Sequence, residues 1–125
     1  MRPFMDRWLA EELGRRRYAS SLLVIGELLA DAPMEDHGLL TFYLGEAHRR
    51  RNATGDRATA AELYARAIAL PGAPAATWRE HGFALREAGK KVDAIAALKR
   101  YLDLAPQADD RAFVQRELEK TGERP

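Results

Sequence analysis

The chain has no cysteine, which excludes disulfides, thiolate metal sites and a cysteine nucleophile, and leaves the redox compartment open. It has no excess of charge: 20 Lys and Arg face 19 Asp and Glu, so the global field makes no case for nucleic acid or an anionic membrane. Long apolar runs are missing too. The longest, 22–30, is interrupted by Glu27 and is far too short to span a bilayer, so no membrane insertion is expected. Charges break every apolar run near the N-terminus, so no signal peptide is expected there. A cytoplasmic location follows, or a periplasmic one if a signal has been removed. β-Branched residues are sparse and alanine and leucine dominate, which favours helix over strand.

What is present is helical punctuation. Within 78–106, apolar residues recur at helical spacing on both sides of Gly89: Trp78, Ala84, Leu85 and Ala88, then Val92, Ile95, Leu98 and Leu102. Gly89 suits a left-handed cap and Pro106 stops the second run, so this stretch reads as a helical hairpin. Earlier in the chain, Pro3 opens a helix whose stripe includes Trp8, Leu9 and Leu13, and Gly14 with Arg15, Arg16 and Arg17 forms its break. A second helix over 18–30 is apolar nearly all round and should be buried between neighbours. After a loop at 34–37, a third helix over 38–51 presents Leu40, Tyr43, Leu44 and Ala47 as its core side. Asp56 is the expected N-cap of a fourth helix, 57–70, and the Pro71-Gly72-Ala73-Pro74 run breaks the chain. Asp109 or Asp110 should cap a last helix reaching about residue 120, whose apolar positions are Phe113, Val114 and Leu118, with a frayed tail beyond. The expectation is an all-α domain of seven helices over 1–125.

The pairs repeat. Their second helices align Ser21, Ala60 and Ala94; Ile25, Tyr64 and Leu98; and Leu29, Ile68 and Leu102. Thirty-four residues separate Ala60 from Ala94. Small residues at Gly45, Gly82, Ala60 and Ala94 let helices approach within a pair, and stacking is required because one hairpin cannot bury both sides.

In that period and those residues the chain resembles the tetratricopeptide-repeat (TPR) family. Over 75–108, Trp78, Gly82, Leu85, Gly89, Ala94, Leu98 and Pro106 fall on the family's pattern, while Tyr101 stands where a small residue is usual. Over 38–74, Leu44, Gly45, Ala60, Tyr64, Ala67 and Pro71 fit; the turn before Gly55 is longer and His48 replaces an aromatic. Over 2–34 the likeness rests on Tyr18, Ser21, Ile25 and Pro33. The resemblance implies a right-handed superhelix of three repeats, 2–34, 38–74 and 75–108, with a capping helix at 109–121. It also implies a concave groove lined by first helices, at Asp6, Arg7 and Ala10, at Leu39, Phe42, Tyr43, Glu46, Arg49 and Arg50, and at Ala76, Arg79, Glu80, Phe83, Arg86 and Glu87.

Catalytic signatures are missing. His37, His48 and His81 form no zinc motif, adjacent acids such as Glu11-Glu12 diverge on a helix, and no phosphate loop or nucleophile elbow occurs. No enzyme, metal or cofactor is expected. Arg15–Arg17 and Arg49–Arg51 either decorate helix C-termini or meet an acidic partner, and no aromatics interleave with them as RNA readers require. The expected function is a non-catalytic protein–protein interaction module or scaffold. Phe42 and Phe83, off their core stripes, and Tyr43 would receive an apolar side chain; Glu46 lines the face; Arg49, Arg50, Arg79 and Arg86 would meet acidic groups. Equally open is that the capping helix or a neighbouring chain fills the place given to Phe42 and Phe83. Members of the family that clamp a carboxylate use lysines and asparagines, but Glu46 and Phe83 stand where the asparagines would be, so that clamp is not implied. The alternative function is an accessory structural domain of a larger bacterial assembly, related to envelope or secretion, that contacts through its end helices or as a homodimer. The alanine- and arginine-rich composition suggests the bacterial source.

Overall fold

A computed structural model of the protein describes residues 3–123. These residues are all-α: α1 (Pro3–Gly14), α2 (Tyr18–Asp31), a short 3-10 turn (Met34–Asp36), α3 (His37–Arg51), α4 (Asp56–Ile68), α5 (Ala76–Glu87), α6 (Lys91–Leu104) and α7 (Arg111–Glu123). No strand occurs among the described residues. The last helix runs on through the stretch expected to fray, and residues 1, 2, 124 and 125 lie outside the described residues. The helices fall into two compact units, Met1–Pro74 with α1–α4 and Ala75–Pro125 with α5–α7.

Two of the three hairpins turn in the same way. α5 ends in a Schellman motif: Lys90 N–H donates to the Leu85 carbonyl (2.9 Å) and Gly89 N–H to that of Arg86 (3.0 Å), with Gly89 left-handed at φ 79°. α1 ends identically, Arg17 N–H on Glu12 (3.1 Å) and Arg16 N–H on Leu13 (3.0 Å). There the left-handed residue is Arg16 (φ 61°), within the break expected at 14–17, while Gly14 stays inside the helix. Between α3 and α4 the longer turn holds two left-handed residues, Asn52 (φ 52°) and Gly55 (φ 84°). Arg16, Gly55 and Gly89 each precede by five positions a buried small residue: Ser21, Ala60 and Ala94. A left-handed conformation costs an L-residue roughly 1–2 kcal/mol, part of which glycine gives back as unfolded-state entropy. Arg16→Gly should therefore raise the unfolding free energy by about 0.5–1 kcal/mol, seen as a higher urea midpoint at unchanged slope.

Glycine also sets the spacing inside two hairpins. A Cβ at Gly45 would lie 2.8 Å from the Tyr64 ring, and one at Gly82 would lie 2.8 Å from the Leu98 side chain. Tyr64 and Leu98 are equivalent positions of the repeat, so the close approach recurs between α3 and α4 and between α5 and α6. Gly26, exposed within α2, meets nothing within 4 Å. It contributes only backbone entropy to the unfolded chain, so Gly26→Ala should stabilise by about 0.5–1 kcal/mol in the same assay.

In the first unit, Leu9, Leu13, Ile25, Leu40, Ala47, Leu63 and Tyr64 form the buried core. Trp8 does not share the burial of Leu9 and Leu13. The expectation for α2 is overturned: of its residues only Ser21 and Ile25 are buried, and Leu23 is 64% exposed. α2 packs against α1 and α3, which cover only part of its apolar circumference. The central place falls instead to α3, buried at Gly38, Leu40, Thr41, Phe42, Tyr43, Gly45, Glu46 and Ala47, because α1, α2 and α4 all lie against it. In the second unit, Leu98, Tyr101 and Leu102 of α6 close against Val114 and Leu118 of α7, with Trp78 and Phe83 of α5 packed on this cluster. α7 thus covers the apolar side of the α5–α6 hairpin. Phe113 and Val92, which belong to the apolar patterns of their helices, are exposed.

Candidate functional site

In the first unit the candidate residues gather on α3 around one carboxylate. Helical spacing puts Phe42, Glu46, Arg49 and Arg50 on neighbouring turns. Glu46 is 2% exposed and accepts four hydrogen bonds. Tyr64 OH of α4 reaches Oε1 at 2.6 Å, Arg49 donates from Nε (3.2 Å) and Nη2 (3.0 Å), and Arg50 donates from Nη2 at 3.1 Å. The Tyr64 oxygen in turn accepts from Arg49 Nε at 3.2 Å. Burial by itself would raise the Glu46 carboxyl, but the hydrogen bond and charge of Arg49, the Tyr64 hydroxyl and the charge of Arg50 outweigh it and hold it below the ordinary carboxylate value. Tyr43 hydrogen-bonds the Asp6 carboxylate and so ties α1 to α3. Burial, then the Asp6 hydrogen bond and charge, pushes the Tyr43 phenol far up.

Phe42 is not off the core stripe. It is 6% exposed, with its ring against Tyr43 (centroids 5.3 Å apart) and Tyr64 (6.2 Å). Phe42, Tyr43 and Glu46 are therefore interior groups of this unit, and what α3 turns outward from the set is the pair of guanidiniums, with side chains 41% exposed at Arg49 and 36% at Arg50.

The third arginine of the run is tied to a second buried carboxylate. Arg51 grips Asp56 with Nε and Nη2, each at 2.8 Å, while His48 Nδ1 lies 2.9 Å from Oδ1 and Ala53 N–H donates to Oδ2 at 2.8 Å. The Arg51 and His48 hydrogen bonds lead in holding Asp56 far below the usual carboxylate range. Asp56 thus makes no side-chain cap for α4, contrary to expectation; it locks the long α3–α4 turn and engages His48.

In the second unit, Arg79 of α5 donates to Glu80 (2.9 Å) and to Asp110 ahead of α7 (2.9 Å), and its guanidinium lies 5.5 Å from the centroid of the Tyr101 ring. Tyr101 OH also hydrogen-bonds Asp110. This accounts for the large residue where the repeat pattern expects a small one: Tyr101 reaches from α6 to hold the start of α7. Two turns on, Arg86 donates to Glu117 and Thr121 of α7, both at 3.4 Å, and stacks over Phe83 at 4.9 Å. Phe83 is half-buried, its ring edge-on to Phe113 at 6.3 Å.

Each of the four candidate arginines is thus fixed by an internal acid, a feature the sequence reading missed. The partners lie from one to 31 residues away, and only Glu46 stands at helical spacing from its arginines. Among the described residues no three His, Asp or Glu side chains converge on a possible metal site. No described helix is long and apolar enough to cross a membrane. Comparison with protein-family models and with curated proteins finds no match.

Proposed function

We propose that the chain is a non-catalytic protein–protein interaction module built from tetratricopeptide-like hairpins, which takes a segment of a partner protein on its first-helix faces. The recurrent hairpin carries this reading: a left-handed residue at Arg16, Gly55 and Gly89, each five positions before a buried small residue. Such repeats use rigid helical faces to display side chains. On α3 and α5 the displayed groups are Arg49, Arg50, Arg79 and Arg86, pre-organised by Glu46, Glu80, Asp110 and Glu117. A held guanidinium loses less freedom on meeting a partner carboxylate, which favours acidic segments. Phe42, Tyr43 and Glu46 serve by supporting the arginines, and Phe83 offers the apolar contact.

Affinity capture from the source organism tests this, comparing wild type with Arg49→Gln/Arg50→Gln and Arg79→Gln/Arg86→Gln variants of unchanged helicity. A protein retained by wild type and lost by either variant supports the reading; equal retention by all three removes these faces. A second reading, contact through the N-terminal hairpin with another copy or a larger bacterial assembly, is favoured by the uncovered apolar side of α2 at Leu23. A concentration-dependent dimer that Leu23→Glu dissolves would select it.

A further inference from the structure

We infer that α7 is a tethered occupant of the partner-binding face of α5, and that the partner takes this face as a helix of the same chemistry, displacing α7. The inference rests on the interaction reading above and names the kind of segment that reading leaves open.

The candidate arginines of α5 are already bound to acids of another element. Arg79 donates to Asp110 at 2.9 Å and Arg86 to Glu117 at 3.4 Å, each acid 31 positions further along the chain. Tyr101 of α6 adds its hydroxyl to Asp110, whose carbonyl accepts the first hydrogen bond of α7, from Val114 N–H at 2.9 Å. Alongside these acids runs one apolar stripe, Val114 and Leu118, packed with Leu98 and Leu102. α7 therefore shows what the face accepts: a helix with a carboxylate at its head, aliphatic side chains four and eight positions later, and a second carboxylate seven positions later. Little else holds α7. Its remaining buried residue is Thr121, while Arg111 adds one bond to the Leu102 carbonyl at 3.1 Å and Phe113 an edge-on contact to Phe83. Departure leaves no charge alone. Glu117 has a closer cation on its own helix, Lys120 at 3.1 Å, and Arg79 keeps Glu80 at 2.9 Å. A partner helix with the same side chains covers Leu98 and Leu102 again, so the completed exchange exposes no net apolar surface. The tether, 105–109, acts in the opposite sense. It keeps α7 at high effective concentration, and the apparent affinity for a separate helix is reduced by the fraction of molecules in which α7 is away. α7 is thus an autoinhibitory element that sets the affinity a partner must reach.

The test uses the full chain and a labelled peptide with the sequence of residues 109–123. Leu118→Ser loosens the tethered helix and leaves the receiving face intact, so this variant should bind the peptide about tenfold or more tighter than wild type does. A peptide with lysine in place of Asp110 and Glu117 should bind the variant about tenfold more weakly than the native sequence. Hydrogen exchange of the wild-type chain needs no variant and decides the matter if Leu118→Ser loses its native helicity. Amides at 115–118 should exchange about tenfold or more faster than those at 97–102, because α7 opens alone. Exchange of both helices at one rate, equal peptide binding by wild type and a folded Leu118→Ser, or equal binding of the lysine peptide would each overturn the proposal. So would a wild-type dimer that the peptide dissolves, which would put a second copy where the partner is placed. If α7 proves fixed while capture still requires Arg79 and Arg86, the interaction reading stands without this device. If capture is independent of the arginines, both fall.

Discussion

Replacing Glu46 with alanine should lower the unfolding free energy by about 2–4 kcal/mol, the largest loss expected from any one side chain here. Removing one member of a buried ion pair typically costs 3–5 kcal/mol, because the other charge is left uncompensated in a dry place. The discount is physical: Arg49 and Arg50 both reach water and can rehydrate, whereas the Tyr64 hydroxyl, buried against α3, loses its acceptor outright. Glu46→Gln keeps the shape and an acceptor for Tyr64 but not the charge, so its loss should be smaller, about 1–2 kcal/mol. The two variants also fix a pH dependence. The folded pKa of Glu46 lies below its ordinary value of 4.5. Its contribution is therefore complete above that value and is lost as the pH falls through the folded pKa. Urea titrations at neutral pH and in acid should show the gap between wild type and Glu46→Gln closing on acidification. A gap that widens in acid would contradict the assignment.

Gly82→Leu should cost about 1–3 kcal/mol despite leucine's better helix propensity. The Cβ alone would stand 2.8 Å from two atoms of Leu98 and 3.3 Å from its backbone nitrogen, so a side chain of four carbons cannot be placed without parting α5 from α6. Gly82→Ala should lie near zero, its propensity gain of about 1 kcal/mol set against that contact. Gly45→Leu, which would drive into the Tyr64 ring, should behave like Gly82→Leu if the hairpins are equivalent. Thermal melts of the four proteins would decide it. A stable Gly82→Leu with an unstable Gly45→Leu would argue that the hairpins are not built alike.

The helices and their turns were legible because they depend on neighbours in the chain. Gly89, Pro71 and Pro106 act locally, and the close contacts at Gly45 and Gly82 showed through the repeated spacing of small against large residues. Two errors share one cause. α2 was expected to be the buried helix because it is apolar all round, and Phe42 was expected to lie open because it falls off the α3 stripe. Yet α3 has three helices against it and α2 has two, and that order is a property of the packing, which helix hydropathy does not carry. The turn at Arg16 fell within the break read at 14–17, but no residue type there marked which position would be left-handed. The ionic supports were hidden by distance in sequence: nothing local marks Asp110 as the partner of Arg79 or Asp56 as the partner of His48.

The central claim is that a partner protein is taken on the first-helix faces and not on the outer side of the N-terminal hairpin. Site-specific photo-cross-linking in the source cell tests it most directly, with benzoylphenylalanine placed in turn at the exposed positions 50, 87 and 23. The account predicts adducts to a common protein from positions 50 and 87 and none from position 23. Adducts from position 23 alone, whether to another copy of the chain or to a different protein, would contradict it and make the uncovered side of α2 the working surface.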